Sequence, residues 1–100
     1  MKIMLCCSGG MSTSILVNKM REEAKSRGIN VEIWAIAVNR FEDEFSKADV
    51  ILLGPQIKYQ LKSFKELAES KGKKIDVIEM IDYGMVRGDK VLEKALELMK

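Results

Sequence analysis

Within eight consecutive residues, Cys7-Ser8-Gly9-Gly10-Met11-Ser12-Thr13-Ser14, the chain places one thiol, two glycines and four hydroxyls. An apolar stretch, Lys2-Ile3-Met4-Leu5-Cys6, leads into this segment, and an amphipathic helical pattern leaves it. A cysteine at the end of a strand, followed by glycines and a helix start, builds an anion cradle around a nucleophile. The glycines let the backbone curl so that successive N–H groups point inward, and the helix N-terminus adds partial positive charge. The same field favours a thiolate there. Cys7 is therefore the candidate nucleophile. Ser8, Gly9, Gly10, Met11, Ser12, Thr13 and Ser14 form the candidate phosphate cradle, acting chiefly through backbone N–H groups. The Ser12 and Ser14 hydroxyls can also cap the helix, a compatible role. Met11 either walls the loop or fills core space.

Composition removes competing chemistries. The 100 residues contain no histidine, so the chain can offer no His-based zinc site, no Cys-His dyad and no phosphohistidine. Its two cysteines are adjacent, which excludes a thiolate metal cluster and a Cys-x-x-Cys redox pair. No metal and no cofactor is called for. Cys6 reads as a small buried hydrophobe, because neighbouring strand residues face opposite sides. Formal net charge is +2, with 47% apolar and 32% charged residues. That balance is ordinary for a globular protein and gives no basic stripe for nucleic acid. No apolar run approaches the ~18 residues of a membrane span, and none precedes Cys6 as a signal peptide would need. The expectation is one domain over residues 1–100, cytoplasmic and monomeric.

Strand and helix alternate four times. The expected strands are Lys2–Cys7, Asn30–Ala37, Asp49–Gly54 and Lys74–Ile81. The first expected helix, from about Met11 to Lys25, carries Leu16, Val17, Met20 and Ala24 on one face and ends at Gly28. A short helix is expected around Asn39–Ser46. Another opens at Pro55, with Ile57, Leu61, Phe64, Leu67 and Ala68 as its core face. The last runs from Met85 or Gly88 to the C-terminus through Val91, Leu92, Ala95, Leu96 and Met99. Alternation of this kind predicts an α/β fold: a three-layer open sheet of four parallel strands with helices on both faces. Strands one and three are unbroken apolar runs, as central strands are, while two and four carry charges. The order is then 2-1-3-4, and ligands bind beyond the strand carboxyl ends where that order reverses. Cys7 ends strand one at that point. Pro55 and Gln56 after strand three, with Tyr83 and Gly84 after strand four, should share its rim. Gly54-Pro55 also reads as turn geometry alone, and Asp82 as a solvated loop residue or a general acid. The Lys58, Lys62 and Lys65 face is most simply solvated.

Leu5-Cys6-Cys7-Ser8-Gly9-Gly10-Met11-Ser12-Thr13-Ser14, Val50-Ile51-Leu52-Leu53-Gly54-Pro55-Gln56-Ile57 and Tyr83-Gly84 together resemble the enzyme IIB components of the lactose/cellobiose class (type 3). These belong to the bacterial phosphoenolpyruvate-dependent sugar phosphotransferase system. The resemblance spans essentially the whole chain. It implies a four-stranded parallel sheet of order 2-1-3-4 and a free-standing IIB. It also implies that Cys7, rather than Cys6, takes a phosphoryl group from a phosphohistidine on a IIA protein. The group then passes to a sugar carried by the membrane IIC component, at the inner face of the membrane.

Small cysteine-dependent tyrosine phosphatases share this strand-loop-helix topology and form the alternative reading. They require an arginine six positions after the cysteine, where this chain has Thr13. Without that bidentate phosphate clamp, hydrolysis should be crippled. A flavodoxin-like nucleotide module is a third reading, weakened by the scarcity of aromatic residues to sandwich a flavin.

Overall fold

The computed structural model describes residues 1–9 and 11–100, with backbone alone at Met11 and Ser12. Four strands, β1 (Lys2–Cys7), β2 (Glu32–Ala37), β3 (Val50–Leu53) and β4 (Lys74–Val77), pair in parallel in the order β2-β1-β3-β4. The expected order holds, and the central strands are more buried than the edge strands. Ile3 to Cys7 and Val50 to Leu53 are buried throughout, whereas β2 and β4 each bury one residue, Ile33 and Ile75.

Alternation along the strands divides the core into two layers. Ile3, Leu5, Val50 and Leu52 pack under helices α1 (Met11–Ser26) and α5 (Gly88–Leu98), through Leu16, Val17, Met20, Ala24, Val91, Leu92 and Ala95. Met4, Cys6, Ile51 and Leu53 face the other way, onto α2 (Phe41–Glu44), α3 (Leu61–Ser70) and the turns around them. There Phe41 stacks on Phe64 at 3.8 Å between ring centroids and on Phe45 at 5.2 Å. Leu67 and Met99, expected in the core, are exposed. α1 closes as predicted on Gly28, at φ 67°, with Ile29 N–H bonded to the Ala24 carbonyl and Gly28 N–H to that of Lys25.

Several boundaries differ from the sequence reading. β2 starts at Glu32, not Asn30. The helix expected around Asn39–Ser46 is three consecutive short turns spanning Val38 to Lys47. Pro55 does start a helical segment, but Pro55–Gln60 is 3-10 with a kink at Ile57, and regular α-helix begins at Leu61. The largest correction is at β4, which stops at Val77 rather than Ile81. A parallel strand lasts only as long as its neighbour. Leu53 ends β3, its carbonyl takes the Ile78 N–H at 2.8 Å, and Pro55 has no N–H to continue the ladder. The chain then turns out of the sheet into a short helix, α4 (Met80–Gly84).

Both sheet edges are covered from the same layer. Arg21 on α1 donates from Nε to the Ile33 carbonyl of β2 at 3.0 Å. Lys94 on α5 donates to the Val77 carbonyl of β4 at 2.6 Å, and the Asp76 carboxylate accepts the Val77 N–H at 2.7 Å.

Candidate functional site

Four chain segments leave the sheet at its carboxyl edge, and the site is built from them. Register places Cys7 beside Ala37, Cys6 beside Leu53, and Leu53 beside Val77. One further rung, Gly54 N–H to the Cys6 carbonyl at 2.8 Å, holds the start of the Pro55 segment against β1 just where the Cys7 loop departs.

Cys7 and Cys6 are both fully buried but on opposite sides of the sheet. Cys6 packs with Met4, Ile51 and Leu53. Its thiol is pushed up to about 12, first by burial and then by the neighbouring Cys7 charge. Cys6 is thus a protonated core residue at neutral pH. The Cys7 sulfur instead meets the Thr13 hydroxyl, with 3.3 Å between Sγ and Oγ1. Thr13 is itself completely buried, and it is the position at which a phosphatase would carry arginine. This side chain was read as one member of the cradle; direct contact with the sulfur was not foreseen.

Ser8, Gly9 and Ser14 are exposed around this pair. Gly10 lies outside the described residues, as do the side chains of Met11 and Ser12. Gly9 does not have positive φ, and a Cβ there would meet nothing within 4 Å among the described residues. The described residues therefore impose no steric need for glycine at this position. What a bare Cα offers there is room for a ligand to come close to backbone. The start of the 16-residue α1 supplies the positive end of a helix dipole beside it.

The expected rim assembles in part. Gln56 donates from Nε2 to the Tyr83 hydroxyl at 3.1 Å, tying the segment after β3 to α4. Pro55 is half-buried and Gly84 exposed. Asp82 is engaged in the turn between α4 and α5: its carboxylate lies 3.7 Å from Arg87, and its carbonyl accepts the Arg87 N–H. That use favours a structural role over a general acid. A cleft of about 500 Å3 opens between Lys58 and Lys94, but of the rim it shares only Pro55.

Exposed apolar side chains were missed in the sequence. Ile15, Tyr59, Met80, Ile81 and Met85 are all 59% exposed or more. Each lies on a segment leaving the Cys7 edge of the sheet. Met80 and Ile81 were hidden by being read as strand. Ile15 carried a readable signal, since it falls off the core stripe of its helix. The arrangement offers a thiol, a helix start and a hydroxyl in contact with the sulfur.

A family model described as "PTS system, Lactose/Cellobiose specific IIB subunit" matches residues 2–94. The chain is 44% identical over 98 residues to the oligo-beta-mannoside-specific EIIB component of Bacillus subtilis, covering 98% of this chain and 95% of the relative. It is also 44% identical to the galactose-specific EIIB component of Lactococcus lactis subsp. cremoris, covering 97% and 94%. Among solved structures, the lactose-specific IIB domain from Streptococcus pneumoniae superimposes with a TM-score of 0.90 at 24% identity, covering 100% and 98%. A YwlE variant from Bacillus subtilis, with a fold like that of the low-molecular-weight tyrosine phosphatases, superimposes at 0.60 with 16% identity, covering 100% and 99%.

Proposed function

The chain belongs to the lactose/cellobiose-specific IIB family of the sugar phosphotransferase system, a family of phosphotransferases, and from that premise we propose that Cys7 carries the phosphoryl group. The Cys7 thiolate attacks the phosphorus of a phosphohistidine on a IIA protein. The S–P bond forms as the P–N bond breaks. A hydroxyl of a sugar held by a membrane IIC component then attacks the same phosphorus and releases the thiolate, its proton being taken up on the acceptor side. Such a transfer asks the protein mainly for alignment and for donors to the phosphoryl oxygens.

The contact between Cys7 and Thr13 is the observation that supports this reading most directly. It pairs the sulfur with a neutral hydroxyl where a hydrolase has a guanidinium. A carrier gains from that difference, because phosphocysteine that resists water survives to reach the sugar. The exposed Ile15, Tyr59, Met80, Ile81 and Met85 form the surface on which IIA and then IIC press. No helix among the described residues is long and apolar enough to cross a membrane. The chain meets IIC from the cytoplasmic side.

The sugar is of the cellobiose, chitobiose and lactose class. Equally similar relatives are named for different sugars, as expected if the IIC partner holds the sugar. The test is phosphoryl transfer from labelled phosphoenolpyruvate through the general proteins and a phosphorylated IIA. Cys6→Ser should still be labelled and Cys7→Ser should not. Label retained on Cys7→Ser would overturn the assignment. Fast turnover of p-nitrophenyl phosphate by the wild type would favour the phosphatase instead.

A further inference from the structure

We propose that Gln56 is a second residue of the transfer site, donating a carboxamide N–H to the phosphoryl group on Cys7, and that Tyr83 is the positioning residue that aims it. This rests on the phosphocysteine reading above.

Three observations carry it. Gly54 continues the sheet by one rung against Cys6, the residue preceding the nucleophile, so Gln56 follows two residues after a point pinned to the end of β1. The Gln56 side chain folds back over this rung. A Cβ on Gly54 would lie 2.4 Å from the Gln56 amide oxygen and 3.5 Å from the Cys6 carbonyl oxygen. The amide oxygen thus lies over Gly54, next to the end of β1. Tyr83 then fixes its rotation by accepting one N–H at 3.1 Å, and a carboxamide has two to give.

Stability does not account for this arrangement. A solvent-exposed neutral hydrogen bond contributes little, and ordering a long side chain to make it costs rotamer entropy. The chemistry of the site does account for it. Thr13 supplies no guanidinium, so the phosphoryl oxygens need other donors on the open side of the cradle. A carboxamide provides one without titrating, and it cannot serve as a base to activate water. No bond to Gln56 forms or breaks. The S–P bond is made and broken at Cys7, while Gln56 keeps both amide protons and relaxes between Tyr83 and the phosphoryl group.

The experiment measures the rate at which phosphorylated IIA labels Cys7 in four variants, and the 31P resonance of the phosphocysteine. Gln56→Ala should slow labelling about tenfold, the loss expected for one hydrogen bond to a charged group. Gln56→Glu keeps the length but replaces both N–H donors with negative charge, and should be slower still. Gly54→Ala, whose methyl clashes with the flexible amide end and lies at ordinary contact distance from the Cys6 carbonyl, should resemble Gln56→Ala. Tyr83→Phe should fall between these and wild type. The 31P signal should move in Gln56→Ala while the melting temperature does not. If Gln56→Glu and Gln56→Ala label at the wild-type rate with an unmoved 31P signal, the role of Gln56 is overturned. If wild-type Cys7 takes no phosphoryl group, the phosphocysteine reading falls and this inference with it.

Discussion

The Cys7 sulfur and the Thr13 hydroxyl oxygen lie 3.3 Å apart, six residues apart in sequence and both fully buried. The hydroxyl can donate to a thiolate or accept from a thiol, and it can turn toward a phosphoryl oxygen once sulfur is esterified. Thr13→Val keeps the shape and removes this capacity. Labelling of Cys7 by phosphorylated IIA, and alkylation by iodoacetamide at neutral pH, should each slow by about tenfold. Equal rates in variant and wild type would show that the contact does not act on the sulfur.

Gly88 opens α5 at the place where that helix crosses α1. A Cβ there would lie 2.7 Å from the Lys19 carbonyl carbon and 2.8 Å from the Met20 backbone nitrogen. Backbone cannot swing aside as a side-chain tip can, so Gly88→Ala must push two helices apart. The cost expected for such overpacking is about 1–3 kcal/mol. Thermal melting should fall by at least about 5 °C. Cys7 labelling measured well below the transition should persist, because the crossing is not among the groups that touch the sulfur.

Much of this architecture is legible in the sequence, and the parts that are not share a cause. Ile3 to Cys6 and Val50 to Leu53 declare central strands by unbroken apolarity, and the charges Glu32 and Asp76 mark the edges. Those four facts yield the order of the sheet and put Cys7 at its switch point. The end of β4 is not written in its own residues. Ile78-Glu79-Met80-Ile81 is apolar enough for a strand, and it leaves the sheet only because β3 has run out at Leu53. Likewise Gln56 and Tyr83 can be placed on one rim by counting strand ends. Their hydrogen bond depends on α4, which that misread strand concealed. Contact between Cys7 and Thr13 follows from the path of a loop, for which neither a period of 2 nor of 3.6 gives any guidance.

Cys6 makes alkaline stability a readable quantity. Its thiol is raised to about 12 in the folded chain, from a reference value of 9.0. Between those values the unfolded chain releases a proton that the folded chain retains. The contribution is therefore complete below about pH 9 and is lost as pH climbs toward 12, by at most about 1.4 kcal/mol per pH unit. Cys6→Ala should lower stability at neutral pH through the small cavity it leaves. From pH 9 upward its stability should decline less steeply than that of wild type. Parallel declines in denaturant midpoint for the two proteins would rule out Cys6 as the source.

The pair of Asp76 and Lys94 takes up the outward backbone groups of Val77 on the outer edge of β4. In a parallel ladder alternate residues turn both backbone groups to the same side, and Ile78 is turned toward β3. Val77 must then face outward, where an incoming strand would find it. Its N–H is taken by Asp76 and its carbonyl by Lys94, whose ammonium also lies 3.6 Å from the Asp76 carboxylate and 3.5 Å from that of Glu79. An edge residue whose outward groups are already bonded, with a charge standing over them, is a poor point for strand addition. Lys94→Met retains the length and apolar stem while baring the Val77 carbonyl and removing the charge. Sedimentation velocity should then show a dimer fraction that grows with concentration, larger again when Arg21→Met bares Ile33 on the opposite edge. Wild type should sediment as a monomer across the same range. If the double variant also remains monomeric and folded, the two cations serve only to anchor their helices.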